Sequence, residues 1–203
     1  MPDYFALLDQ PRRPWLEAET LKQQFLSLSS QTHPDRVHGG TEAERLAAHH
    51  RFAELNAAHA CLREPCDRLR HLLELELGEK PVELHEIPAD LAGLFMKIAA
   101  TCREADHFLM EQSKVTSPLL RAQLFESGHD WSGKLTALRN DIVARQDQLL
   151  SALKALDVDW TEAPIDPVAR ANSLRELEKI YRLLGFFGRW SSQLQERMNL
   201  LMF

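Results

Sequence analysis

Apolar side chains in this chain return every third or fourth residue, segment after segment, and that spacing admits one kind of element. Leu21, Phe25 and Leu28 follow it, as do Phe52, Leu55, Ala58, His59 and Leu62. So do Leu135, Leu138, Ile142, Leu149 and Leu153, and then Leu174, Leu177, Ile180, Tyr181, Leu184 and Phe187. A helix of 3.6 residues per turn gathers each set onto one face, whereas a half-buried strand needs strict alternation. Leu, Ala, Glu, Arg and Gln recur throughout, and runs of Val, Ile or Thr are few, which favours helix over strand. With 203 residues, 44% of them hydrophobic, the chain can bury one sizeable core or two small ones. The expected fold class is all-α.

Punctuation divides the chain near "GEKPVELHEIP", where Gly78, Pro81 and Pro88 interrupt the helical pattern. This predicts a first helical unit over 1–78, a linker over 79–88 and a three-helix bundle over 89–203. Within the bundle, breaks are expected at "KVTSPLL", at "ESGHDW" and at "DVDWTEAPIDP". In the first unit, "YFALLD" makes one or two turns, a helix runs from Glu17 to Thr32, and a second starts at Thr41. The pair Thr41 and Glu44 fits a capping box at that start. A last short helix begins at Pro65, a favoured first-turn residue, and presents Leu69, Leu72 and Leu73.

Charge narrows the function classes. Residues 1–78 carry 9 Lys and Arg against 12 Asp and Glu, and the remainder carries 15 against 18, so neither part is a basic nucleic-acid-binding module. Cys61, Cys66 and Cys102 form no CxxC pair and no zinc spacing, and the histidines lack ligand neighbours, so no metal or other cofactor is expected. The start "MPDYFALLDQPRRPW" carries acid at Asp3 and prolines rather than a basic segment followed by an apolar run, unlike a signal peptide, and no apolar run approaches the roughly 20 residues of a membrane span. A monomer in a reducing cytoplasm, without nucleic-acid or membrane partners, is the expectation.

One turn stands apart. In "QTHPDRVHGG", Pro34 disfavours helical geometry at His33 and so ends the helix, leaving His33 and Asp35 as polar groups at its tip. Taken alone, the tripeptide is a helix stop followed by a turn. An enzyme using His33 and Asp35 as an acid–base pair is disfavoured, because no nucleophile, phosphate-binding Gly loop or metal set accompanies them.

In context, "YFALL", the Leu21–Phe25–Leu28 helix, "HPDR" and the helix ending "LNAAHACLREPCDRLRHLLELELG" resemble the J-domain, in the form found in HscB-type co-chaperones. The closing pattern of that type is carried here by Asn56, Ala58, Leu62, Pro65, Arg68, Leu72, Leu73 and Gly78. The resemblance implies a protein that is not an enzyme. Its loop and preceding helix would dock on a DnaK/HscA-type ATPase chaperone and trigger ATP hydrolysis there, with His33, Pro34, Asp35, Lys22 and Arg36 as the chaperone-binding residues. An exposed Asp35 carboxylate suits an Arg fork on that partner. Two positions depart from the family: the helix before the loop holds one cation, Lys22, where several are usual, and His59 stands where Tyr is usual. Weak long-range attraction follows from the first. The second reads as a core substitution.

In the same family the second unit grips an IscU-type iron–sulfur scaffold protein. The motif Phe-Leu-Met-Glu-Gln stands literally at Phe108, Leu109, Met110, Glu111 and Gln112, but the Arg-Glu pair expected after it is missing. The alternative register, "FMKIAATCRE", runs from Phe95 to Arg103 and Glu104. Both registers stay open, with Phe95, Arg103, Glu104, Phe108, Leu109, Met110 and Phe187 as client-binding candidates. The broken motif also leaves room for a J-domain protein with a different client.

Overall fold

A computed structural model describes residues 2–33, 35, 39–81, 86–162 and 167–201. All of its regular elements are helical: α1 (Tyr4–Leu7), α2 (Ala18–Gln31), α3 (Glu42–Arg63), α4 (Pro65–Leu77), a 3-10 turn (Ala89–Leu91), α5 (Ala92–Lys114), α6 (Pro118–Glu162) and α7 (Pro167–Leu201). The chain packs as two compact units. One comprises Met1–Val82 with Ser151–Tyr181, the other Glu83–Leu150 with Arg182–Phe203.

Local chemistry sets the helix ends in the first unit. The Asp3 carboxylate accepts from the amides of Phe5 and Ala6 at 3.0 and 3.3 Å, capping α1. Asp9, at φ 50°, then turns the chain out of that helix, a conformation its short polar side chain tolerates. The Thr41 hydroxyl accepts from the Glu44 amide while the Glu44 carboxylate accepts from Thr41, so the capping box at the start of α3 is present. Pro65 opens α4, and Gly78, at φ 77°, closes it in the left-handed region where a side chain would be strained.

Leu21 of α2, Leu55, Ala58 and Leu62 of α3, and Leu69, Leu72 and Leu73 of α4 are buried, as are Phe5 and Leu8, and α3 packs against α1, α2 and α4. Phe25 is half-buried, its ring stacked on His59 at 4.2 Å, so His59 is part of the α2–α3 packing. Polar ties accompany this core. Buried Arg68 donates from Nε to the Pro14 carbonyl at 2.9 Å and from Nη1 to the Leu62 carbonyl at 2.8 Å, and burial pulls its pKa down to about 10. Asp157 of α6, 3% exposed, accepts from the Arg13 guanidinium and from the Trp15 amide at 2.9 Å. The Trp160 indole donates to the Arg12 carbonyl at 2.9 Å, and Arg170 lies over the same indole while pairing with Glu76.

The second unit is organised around Trp190, with Ile98, Cys102, Ala105, Leu135, Leu138, Ile142, Phe186, Phe187 and Leu194 buried beside it. The expected break at "ESGHDW" does not occur: residues 126–131 lie inside α6. Gly128 is buried there, and a Cβ at that position would meet the Phe108 ring at 3.9 Å. Packing against α5 therefore outweighs the roughly 1 kcal/mol that a helical glycine costs. At "DVDWTE" the helix also continues, to Glu162, because Asp157 and Trp160 are engaged by the first unit's own N-terminal segment.

Two outcomes follow. Arg68→Ala should cost about 2–4 kcal/mol in urea unfolding, since two buried carbonyls lose their donor. Buried His71 accepts the Tyr4 amide at Nε2 (3.0 Å) and is held below its usual pKa by burial. The unfolded chain therefore takes up the proton first. Stability should be complete above about pH 6.5 and fall as pH drops below it, less steeply in His71→Gln, as read from denaturation midpoints against pH.

Candidate functional site

The end of α2 is built by Thr32, whose amide and hydroxyl both donate to the Leu28 carbonyl, at 3.1 and 2.9 Å. The chain then leaves the helix at His33. The His33 side chain is 46% exposed and that of Asp35 89%, so both are presented to solvent. They are also fixed relative to each other: the Asp35 amide donates to His33 Nδ1 at 3.3 Å, and the Asp35 carboxylate lies 3.4 Å from the same nitrogen. With Nδ1 accepting, the neutral ring carries its proton on Nε2. Phe52 of α3 supports the imidazole edge-on, ring centres 5.3 Å apart. Pro34 and Arg36 lie outside the described residues.

On α2 itself, Lys22 is exposed, and one turn further along Leu26 is 53% exposed. Leu26 was not among the residues expected at this site. Its spacing of four from Lys22 was the available signal, because it sets Leu26 on Lys22's side of the helix and off the stripe of Leu21, Phe25 and Leu28.

The second unit separates the candidate client residues into two groups. Phe95 is half-buried against Trp190, ring centres 6.0 Å apart, and Phe108 is half-buried against Trp131 at 6.4 Å. Leu109 is half-buried as well. Arg103 and Glu104 are exposed, and Met110 is 53% exposed. Met96, which sequence reasoning passed over for Phe95, is 61% exposed. Met96, Arg103 and Met110 stand seven residues apart, nearly two helical turns, so they form one stripe along α5. Both sequence registers thus contribute to a single exposed face, while their phenylalanines turn to the core. Phe187 is a correction. At 3% exposure it packs edge-on against Trp190, because its position on α7 belongs to the buried stripe with Ile180, Leu184 and Leu194.

Among the described residues, no group of His, Cys, Asp and Glu is arranged to hold a metal ion, and no helix is long and apolar enough to cross a membrane.

No family model matches this chain. A crystal structure of human co-chaperone protein HscB aligns with 98% of it and 82% of that protein, at 17% identity and a TM-score of 0.59. This chain has the HscB fold. The chaperone HscB from Vibrio cholerae also matches, over 95% of this chain and 99% of that one, at 23% identity and a TM-score of 0.49. An HscB fold accounts for the all-helical architecture.

Core and surface on this fold predict opposite responses. Phe187→Ala should cost about 3–5 kcal/mol in chemical unfolding, whereas Met110→Ser should stay within about 0.5 kcal/mol of the parent.

Proposed function

We propose that this chain is a co-chaperone of the HscB type, which stimulates the ATPase of a DnaK/HscA-type chaperone through the loop of His33, Pro34 and Asp35. The observation that carries this reading is the exposed pair of His33 and Asp35, held against each other at the end of α2 in a chain with the HscB fold. An activator of this kind makes and breaks no bond itself; it shifts its partner between states by binding one of them better. Asp35 would meet a cationic group on the chaperone, with Lys22 and Arg36 flanking it. Leu26 adds an apolar contact beside Lys22. Since Lys22 is the only cation on α2, steering should be weak and association only mildly salt-sensitive.

The α5 face of Met96, Arg103, Glu104 and Met110 is the surface we assign to an IscU-type iron–sulfur scaffold protein. Exposed methionines suit an adaptable apolar contact, and the adjacent Arg and Glu, neither hydrogen-bonded nor ion-paired among the described residues, supply polar specificity. A different client is the second reading. It is favoured by Phe108, which turns to Trp131 and leaves Met110 as the most exposed residue of the Phe-Leu-Met motif. The same reading makes the chain a monomeric, cytoplasmic protein without a catalytic centre.

Mixed in excess with the DnaK/HscA-type chaperone of the same cell, the protein should raise steady-state ATP hydrolysis several-fold. His33→Gln should return the rate to its basal value without lowering the melting temperature, because the side chain is exposed. An unchanged ATPase rate with every such chaperone of that cell would refute the reading.

A further inference from the structure

Three side chains of α6 hold the segment that leads into α2, although they follow it by 137 to 148 residues in the chain. Lys154, Asp157 and Trp160 stand three residues apart, which sets them along one side of the helix. Lys154 lies over the Trp15 ring at 5.2 Å and pairs with Glu17 at 3.3 Å. Asp157 accepts from the Trp15 amide at 2.9 Å and from Arg13 Nε at 3.0 Å. The Trp160 indole donates to the Arg12 carbonyl, and Arg68 of α4 donates to the carbonyl of Pro14. Backbone groups of Arg12, Pro14 and Trp15 are thus fixed, and α2 begins three residues further on, at Ala18.

That anchor matters because the packing of α2 itself is thin. Of its 14 residues, Leu21 is the one buried apolar side chain, Phe25 and Leu28 are half-buried, and Leu26 faces solvent. Ser29, also buried, has a hydroxyl without a hydrogen-bond partner among the described residues, so it adds no directional tie. At 1.5 Å per residue, α2 carries a tilt at its start about 21 Å to its tip, where about 10° becomes a displacement of about 4 Å. The contact of His33 with Phe52 of α3, ring centres 5.3 Å apart, would not survive such a shift.

We propose that Asp157 is a positioning residue for the His33 tip: by fixing the segment before α2, it keeps His33 seated on Phe52 in the geometry that the chaperone reads. The role in activation rests on the function proposed above, whereas the seat is a property of this chain alone. Among the three side chains of α6, Asp157 carries the largest share. It is 3% exposed and serves both a guanidinium and a backbone amide, while the Lys154–Glu17 pair is exposed on both sides, where ion pairs contribute little. A tip that is seated only part of the time binds more weakly by that fraction, so one seated about one-tenth of the time needs about tenfold more protein for the same effect.

The test compares Asp157→Asn, Trp160→Phe and Phe187→Ala with the parent, each shown to be folded by circular dichroism at the assay temperature. Two quantities are read: nuclear Overhauser cross-peaks between the His33 and Phe52 rings in the full chain alone, and the ATPase of the DnaK/HscA-type chaperone titrated with each protein. Asp157→Asn should lose the cross-peaks and raise the half-saturating concentration about tenfold at an unchanged maximal rate. Trp160→Phe keeps a ring for Arg170 and removes the donor to Arg12, so its rise should be smaller, about twofold to threefold. Phe187→Ala, a core loss in the second unit, should change neither quantity, which separates positioning from stability. Should Asp157→Asn fail to fold, Trp160→Phe decides. Retained cross-peaks, an unchanged half-saturating concentration, a fall in the maximal rate alone, or an equal effect of Phe187→Ala would each overturn the proposal. Absence of stimulation by the parent would refute the co-chaperone reading instead, and the cross-peaks would then decide the role of Asp157 by themselves.

Discussion

The segment from Arg12 to Glu17 makes almost no regular structure, yet the placement of α2 depends on it. Two buried groups of opposite charge hold it. Arg68 binds the Pro14 carbonyl, and Asp157 binds the Arg13 side chain and the Trp15 amide. Each serves backbone groups that would otherwise be buried without partners. Trp160 adds a bond to the Arg12 carbonyl, and the Trp15 indole caps the arrangement by donating to Glu17 at 2.8 Å. Since α2 starts immediately after, the direction in which it delivers His33 is decided by this polar layer as much as by the leucines beneath it.

The chemistry at the two ends of α2 is correspondingly different. Its start follows directly on a segment tied down by charged and backbone groups. Its finish is a short polar tip in which Thr32 turns its hydroxyl back to the helix and His33 rests on Phe52. Rigidity is supplied by what lies behind the tip, and the tip itself stays open to solvent. On the reading proposed above, that division lets the two polar side chains be positioned before any partner arrives, reducing the ordering cost of association.

Much of this was legible in the sequence where one physical cause acts locally. The stripe of Leu21, Leu55 and Leu62 follows from helical spacing, the capping box from Thr41 and Glu44, and the stop after α2 from Pro34. What escaped depends on partners far along the chain. Gly128 looked like a helix break because its value lies in admitting the Phe108 ring, which no local pattern reveals. Asp157 looked like part of a loop because its ligand, Arg13, is 144 residues away. Phe187 was read as a surface contact because a helical stripe says which residues share a face, not whether that face is covered. On α5, spacing placed Met96, Arg103 and Met110 together, and only burial of Phe95 and Phe108 told its two faces apart.

The cysteines carry a consequence of a different kind. Burial raises Cys61 to a pKa of about 11 and lifts Cys102 as well, and the Cys61 thiol is turned to the Asp67 carbonyl. At neutral pH only about one Cys61 in ten thousand is a thiolate. Nucleophilic attack, peroxide oxidation and capture of soft metals all begin from that minor form. Those two sulfurs are thus chemically quiet, and the protein can work beside reactive thiols and metal-bearing clusters without entering their chemistry through either one.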